Sequence, residues 1–183
     1  DWILHGQTAY FNLLPQTEYK ITCDTALFSL NANHGIRPQQ GKYAYVVHPS
    51  IPSTSAAAKY AAKLPIKVLA NTEKTQAVRH EKLRITEIIF YQPGELKLEN
   101  GDILATDTPC ALLWKEKEEK IHAANPRCES KNPGKITITL TQSGQTKQIS
   151  FEMPQKEEAG KSCTAPLYRN RGVSFELKKL WLL

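Results

Sequence analysis

Two stretches of alternating apolar and polar residues constrain the fold of this chain most strongly. Residues 135–140 (KITITL) and 147–151 (KQISF) place an apolar side chain at every second position, which is the period of a β-strand that buries one face. With Gly144 in the turn between them, Ile138 faces Ile149 on one side of the pair. The pattern predicts an antiparallel hairpin with a buried apolar face.

A second hairpin is predicted by the pair Asn100-Gly101. A type I′ turn needs positive φ at both central residues, and Asn-Gly adopts it readily. Such a two-residue turn would set Leu96 opposite Ala105 on the flanking strands.

Most of the remaining chain has the pattern of short strands. Segments rich in β-branched and aromatic residues alternate with Gly, Pro and Asn. Further strands are predicted at residues 9–14, 19–23, 26–30, 43–47, 66–70, 83–91 and 173–180, and residues 111–114 are expected to fold back on 121–123. This number of strands predicts a mainly β fold, either an antiparallel β-sandwich or a partly closed β-barrel with one short helix.

The single helix is predicted between Ser53 and Pro65. Serine is a favourable N-cap residue, and proline cannot continue a helix. The residues predicted to share the apolar face are Ala56, Ala57, Tyr60, Ala61 and Leu64, with Lys59 and Lys63 facing solvent.

The length of the chain fits one domain. The 183 residues suffice for one sizeable core, and no linker rich in Gly, Ser or Pro divides them. We therefore predict a single disulfide-stapled, β-rich domain over residues 1–183. The mean hydropathy is −0.45, and no apolar run approaches the roughly 18 residues that a membrane-spanning helix needs, so no transmembrane segment is expected.

Four cysteines, Cys23, Cys110, Cys128 and Cys163, indicate an oxidising compartment. An even number without a C-x-x-C pair fits two disulfides better than a zinc site. Three pairings are open. We favour Cys110 with Cys128, at the open end of a hairpin, which leaves Cys23 with Cys163 to tie the front of the chain to its back. The alternative is four reduced cysteines in a cytosolic protein.

The N-terminal residue also bears on location. The chain begins with Asp1 and contains Met153 as its single methionine, which we interpret as the product of processing that removed a signal peptide or an anchor. Together with the cysteines, this predicts a secreted protein or one of the periplasm or cell envelope.

Positive charge is concentrated in two stretches of a chain whose net charge is +6. Residues 59–84 carry seven Lys or Arg against two Glu, and residues 161–179 carry five against one. If the fold brings them together, they form a basic face for an anionic glycan, a lipid headgroup or an acidic protein. The residues predicted to bind this partner are Lys59, Lys63, Arg169 and Arg171. A solvated surface without a specific ligand is the alternative, and the aromatic-basic patterns of nucleic-acid-binding folds do not occur.

The sequence contains none of the common catalytic motifs. G-x-S-x-G, H-E-x-x-H, G-x-x-x-x-G-K-[ST] and G-x-G-x-x-G do not occur, and the five histidines fit no zinc spacing. We therefore expect no catalytic residue, metal or cofactor, and an enzyme is the less favoured class. A hydrolase assembled from residues distant in sequence would need a nucleophile and a base together in a cleft.

Tyr43 and Tyr45 form an aromatic pair on one face of a predicted strand, with His48 three residues on. Aromatic side chains arranged in this way can line an apolar pocket and, with a histidine, hold haem or another flat ligand. If the pocket exists, we expect Trp114 in or near it. Tyrosines of the core or surface without a ligand are the alternative.

Residues 110–175 resemble the second half of the bilin lyase family, small calyx-like β-barrels that carry a tetrapyrrole. The resemblance consists of a strand opened by Cys110, a second cysteine, Cys128, after a charged hairpin, and a closing strand that ends at Phe175. It implies a barrel with a ligand cavity. No site residue is transferred from it.

These observations predict a binding or assembly protein of the extracellular space or cell envelope, without catalytic activity, that engages an anionic partner through its basic face. The alternative is a β-barrel carrier of a small apolar or tetrapyrrole ligand, with Tyr43, Tyr45 and Trp114 around the cavity.

Overall fold

The computed structural model describes residues 1–25, 27–127 and 134–167. Its single α-helix in these ranges, α1, spans Thr54–Ala61. The strands are β1 Trp2–His5, β2 Thr8–Asn12, β3 Glu18–Cys23, β4 Phe28–Asn33, β5 Tyr45–His48, β6 Ile66–Asn71, β7 Thr75–His80, β8 Ile85–Phe90, β9 Gly94–Lys97, β10 Ile103–Thr106, β11 Cys110–Lys115, β12 Lys120–Ala124, β13 Lys135–Gln142, β14 Gln145–Glu152 and β15 Cys163–Pro166. The mainly β prediction is confirmed, and the strand predicted at 173–180 lies outside the described residues.

Strands β6 to β15 form an antiparallel β-sandwich. One sheet has six strands in the order β15-β12-β11-β8-β7-β6, and the other has four in the order β14-β13-β10-β9. The inner faces of the two sheets contribute to one hydrophobic cluster, in which Phe90 and Ile88 from the larger sheet and Leu104 and Ile138 from the smaller are fully buried. The prediction of a sandwich is thus confirmed, with two separate sheets in place of a closed barrel.

The hairpin of β13 and β14 has the predicted register. Ile138 lies opposite Ile149, and Ile136 lies opposite Phe151. The turn places Gly144 at φ +76° and the preceding serine at φ +49°, as a two-residue turn that follows the right-handed twist of the strands requires.

The hairpin of β9 and β10 differs from the prediction by one residue. Leu96 lies opposite Leu104, and Ala105 lies opposite Glu95. Since side chains alternate between the two faces of a sheet, this shift places Leu96 and Leu104 together in the core.

The turn of this hairpin explains the shift. Within the described turn, Gly101 has positive φ, at +86°, whereas Asn100 does not. The N–H of Leu98 donates to the carbonyl of Asp102 at 2.8 Å, and the N–H of Gly101 donates to the carbonyl of Leu98 at 3.0 Å. The loop is therefore longer than two residues and bulged at the glycine, which is a turn of a different kind from type I′. The side chain of Asn100 holds it, because its Nδ2 donates to the Asp102 carboxylate at 3.0 Å.

Residues 1–64 build a second, smaller core. Strand β2 pairs with β1 and β5, and Phe11 packs with Ile51 and with Ala57 of α1. The predicted N-cap is confirmed, because the N–H of Ala56 donates to Ser53 Oγ at 3.2 Å. Strands β3 and β4 form a separate hairpin. Across the described part of the chain, no helix is long and apolar enough to cross a membrane.

The cysteines do not form the predicted bridges among the described residues. Cys23, Cys110 and Cys163 carry free thiols, and Cys128 lies outside the described residues. The pairing of Cys23 with Cys163 is not formed because Cys23 belongs to the β3–β4 hairpin, whereas Cys163 lies opposite Ala123 in the six-stranded sheet. The buried Cys110 thiol contacts Thr106 Oγ1 at 3.4 Å.

Candidate functional site

Tyr43 and Tyr45 form an exposed aromatic pair at the edge of the smaller core, which we call the tyrosine ridge. Strand β5 is the edge strand of its sheet, and the two rings are 56% and 48% exposed. Their centroids lie 6.1 Å apart with the planes inclined by 25°. The predicted arrangement of the pair on one face is thus present, although Tyr43 lies just before the strand.

Three hydrogen bonds hold the backbone that carries the ridge. The N–H of Leu13 donates to the carbonyl of Ala44 at 2.9 Å, and Thr17 Oγ1 donates to the carbonyl of Lys42 at 3.0 Å. From the sandwich, Asn71 Nδ2 donates to the carbonyl of Tyr43 at 3.1 Å. The rings are therefore exposed on a backbone that is fixed from both sides, an arrangement that reduces the entropy lost when a ligand binds.

A first groove, with a volume of about 420 Å³, lies on one side of the ridge. Its aromatic walls are Trp2, Tyr10, Tyr19 and Tyr45. Within the described residues, the Tyr19 hydroxyl is buried without a hydrogen-bond partner. Burial, followed by the proximity of Tyr45 and Tyr43, raises the pKa of Tyr19, so this hydroxyl is neutral and keeps its proton to donate.

A second groove, of about 470 Å³, lies between the ridge and the sandwich. Both ridge tyrosines line it, together with the amides of Asn71 and Gln76. The hydroxyl of Tyr91 donates to Gln76 Oε1 at 3.0 Å, which orients that amide. The remaining lining is largely apolar and comes from Leu13, Val46, Ile66, Val68, Ala70, Ala77 and Val78. Volumes of this size and a mixed lining are typical of small-molecule and oligosaccharide sites.

The histidine beside the ridge is His34, which sequence reasoning missed. Its ring lies 6.1 Å from that of Tyr43, and a Cβ atom on Gly41 would lie 3.0 Å from the His34 Cγ. His48 instead packs edge-on against Tyr60 of α1 at 4.8 Å. The predicted grouping of His48 with the tyrosine pair is therefore wrong, because β5 directs His48 toward the helix.

Trp114 is not part of this surface. It lies on the inner face of β11, 3% exposed in the core of the sandwich, and it lines neither groove. The structure therefore does not bring Trp114 into one cavity with Tyr43 and Tyr45.

The predicted basic residues are only partly described. Lys59 and Lys63 are both exposed, on α1 and just after it, whereas Arg169 and Arg171 lie outside the described residues. Lys67, another cation of residues 59–84, pairs with Glu99.

Arg79 is the most enclosed of these cations. It pairs with Glu116, whose side chain is only 11% exposed, and Arg84 pairs with the same carboxylate at 3.1 Å. The hydrogen bond that Arg79 donates to Glu116 raises the pKa of Arg79, although burial opposes this. This network stabilises the larger sheet and leaves little of the Arg79 charge available for a ligand.

Metal ligands are not grouped in the described ranges, where no three His, Cys, Asp or Glu side chains come close enough to hold an ion. The polar groups that converge on one surface are instead hydroxyls, amides and aromatic rings. These groups can stack on and hydrogen-bond to a polyhydroxylated ligand.

Comparison with known proteins relates the chain to polysaccharide lyases. The family model for "Polysaccharide lyase family 8, C-terminal beta-sandwich domain" matches residues 67–133. Chondroitinase-AC from Pedobacter heparinus is 40% identical over 136 residues, which are 73% of this chain and 19% of that protein. Hyaluronate lyase from Thermasporomyces composti is 31% identical over 81 residues, which are 44% of this chain and 10% of that protein.

Solved structures agree with this relationship. The structure of chondroitinase AC lyase, studied in enzyme–oligosaccharide complexes, superposes with a TM-score of 0.78 at 30% identity, covering 90% of this chain and 27% of that one. Paenibacillus xanthan lyase superposes with a TM-score of 0.67 at 22% identity, covering 91% of this chain and 19% of that one, and shows similarity of fold alone. The chain thus spans about a quarter or less of the length of these relatives.

The prediction of a non-catalytic binding protein is contradicted by these matches, and so is the alternative of a small-ligand carrier. The proteins that match are polysaccharide lyases. The sequence reasoning failed because it searched for catalytic motifs within a chain that aligns with a minor part of its relatives.

Proposed function

We propose that this chain forms the β-sandwich part of a polysaccharide lyase that acts on an acidic polysaccharide of the chondroitin type. The observation that carries the proposal is the 40% identity with Chondroitinase-AC over 73% of the chain. The superposition with chondroitinase AC lyase over 90% of the chain supports it.

A lyase of this kind breaks a glycosidic bond by elimination, which needs a base for the proton on carbon and a positive group near the acid of the sugar. The enclosed Arg79 and the exposed Arg84 are both paired with the Glu116 carboxylate. We therefore do not assign the positive group to these two arginines, and we propose that this chain contributes to the lyase by contact with the polysaccharide.

Charge favours an anionic substrate. The net charge of +6 and the isoelectric point of about 9.1 attract a polyanion and speed its encounter with the protein. We propose that the exposed Lys59 and Lys63, together with Arg169 and Arg171, contribute to this attraction. The comparisons provide no support for an acidic protein or a lipid headgroup as the partner.

The proposed substrate also bears on location. Acidic polysaccharides of this type lie outside the cytoplasm, and a protein that cleaves them works where they are. We therefore propose that the protein is secreted or periplasmic.

The test is an assay of the complete coding region that contains this chain. The expressed protein is incubated with chondroitin, with hyaluronan and with an uncharged glucan, and unsaturated products are followed by ultraviolet absorbance. The proposal predicts unsaturated products from chondroitin and none from the glucan. Absence of unsaturated products from both acidic polysaccharides would contradict it.

A further inference from the structure

We propose that the tyrosine ridge and its two flanking grooves form a binding surface for a segment of the polysaccharide chain, in addition to the site of cleavage. This inference rests on the proposed function for the class of its ligand. Its geometry comes from residues 1–78, most of which precede the part matched by the family model.

The tyrosine ridge exposes apolar ring surface to solvent. Aromatic side chains are usually packed away from water, and two tyrosines that are about half exposed, with their rings stacked, leave apolar surface uncovered. The C–H face of a pyranose ring is apolar and flat, so it can stack on a tyrosine while the sugar hydroxyls stay wet. The two stacked rings, with centroids 6.1 Å apart, offer one exposed aromatic surface to such a sugar.

The two grooves beside the ridge share a lining residue. Tyr45 lines both the groove of about 420 Å³ and the groove of about 470 Å³, so the two grooves meet at the ridge. A ligand that fills both must be elongated, as a polysaccharide strand is. An isolated small molecule would use one groove alone.

Both grooves contain side chains that can form hydrogen bonds with a sugar. Tyr19 lines the first groove, and its hydroxyl is buried and, within the described residues, has no partner, so a ligand oxygen that reaches it would relieve an unsatisfied polar group. In the second groove, the amides of Asn71 and Gln76 can donate to and accept from sugar hydroxyls.

Charge then orients the ligand. Glu18 and Asp1 line the first groove and repel a carboxylate or sulfate there, whereas Lys42 lines the second. We infer that an acidic sugar occupies the second groove and an uncharged sugar the first. A glycan in which acidic and uncharged sugars alternate fits this requirement.

The experiment measures binding of chondroitin oligosaccharides of defined length to this chain by isothermal titration calorimetry. Replacement of both ridge residues, Tyr43→Ala with Tyr45→Ala, is expected to weaken binding about tenfold or more, since a stacked ring contributes roughly that factor. The pair Tyr43→Phe with Tyr45→Phe keeps the rings and is expected to bind within a factor of about two of the wild type. Leu83→Ala is the matched control, because Leu83 is 52% exposed and lines neither groove.

Three results would overturn the inference. These are unchanged binding by the double alanine variant, an equal loss in the double phenylalanine variant, and no binding of chondroitin by the wild-type chain. Nuclear magnetic resonance spectra of each variant verify that it is folded. Oligosaccharide binding that depends on the rings, combined with a failed cleavage assay, would retain the ridge and reject the proposed lyase. Cleavage by the complete protein, combined with binding that is unchanged when the rings are removed, would retain the proposed lyase and reject the ridge as a binding surface.

Discussion

Tyr19 has a buried hydroxyl that, among the described residues, no side chain or backbone group satisfies. An unsatisfied buried polar group destabilises a folded protein, so Tyr19→Phe is expected to leave the free energy of unfolding unchanged or to raise it by up to about 1 kcal/mol. Chemical denaturation of the free protein measures this, with Tyr45→Phe as a control in which an exposed ring loses its hydroxyl. A loss of more than about 1 kcal/mol would show that the hydroxyl already has a partner.

The Cys110 thiol produces a pH dependence of stability. Burial is the main cause that raises its pKa from 9.0 to about 11. The folded state therefore retains this proton when the unfolded chain has lost it. The stabilisation is complete below about pH 9 and is lost between about pH 9 and 11, by roughly 2 to 3 kcal/mol in total.

The comparison of wild type with Cys110→Ala isolates this effect from the titration of lysines. Unfolding free energies measured between pH 8 and 11 should fall more steeply for the wild type than for the variant, although the variant is less stable throughout because its core contains a cavity. Parallel pH profiles would contradict the assigned pKa.

At the residue scale, the sequence predicted Tyr43 and Tyr45 as a pair because alternation along a strand is local. It did not identify Tyr19 and His34, which lie on or next to the β3–β4 hairpin and reach the ridge only through tertiary packing. A tyrosine at the start of a polar hairpin gives no signal that its hydroxyl will be buried.

Among the elements, the β9–β10 hairpin depends on the left-handed conformation of Gly101. A residue with a Cβ atom is strained at φ +86°, so Gly101→Ala is expected to lower the free energy of unfolding by about 1 to 2 kcal/mol. Gly94→Ala is the matched control on the same hairpin, since its Cβ would meet neighbours at 3.9 Å and its φ is not positive. Equal effects of the two substitutions on thermal stability would contradict the bulged turn.

The two hairpins also show where prediction of elements succeeds. For β13 and β14, a short turn between strands of equal length determines the register, and the apolar alternation agrees with it. For β9 and β10, the Asn100 side chain hydrogen-bonds to Asp102, which lengthens the turn. The preference of Asn-Gly for a type I′ turn gives no indication of this hydrogen bond between Asn100 and Asp102.

On the scale of the whole molecule, the single-domain organisation over residues 1–183 stays a prediction. The described residues form two hydrophobic clusters, and the hydrogen bond from Asn71 of β6 to the carbonyl of Tyr43 joins the two parts of the chain that contain them. A single domain would give one calorimetric unfolding transition, and Asn71→Ala would then broaden or split it. Two transitions in the wild type would contradict the single domain.

The overall fold was predictable because strands and turns are encoded locally, whereas the function was not. The disulfides were inferred from an even count of cysteines, yet the described thiols of Cys23, Cys110 and Cys163 are free. The basic stretch of residues 59–84 suggested a binding face, yet Arg79 and Arg84 converge on Glu116. The state of the cysteines and that of the arginines both depend on which distant residues meet in the fold. A single sequence does not contain this information.

The most direct test of the proposed lyase is a chimera in which this chain replaces the matching region of Pedobacter heparinus Chondroitinase-AC. Release of unsaturated products from chondroitin is measured for the parent enzyme, the chimera and a variant that lacks the region. The account predicts that the chimera folds and cleaves chondroitin well above the deletion variant. A chimera that is folded by circular dichroism but no more active than the deletion variant would contradict the assignment of this chain to a chondroitin-type lyase.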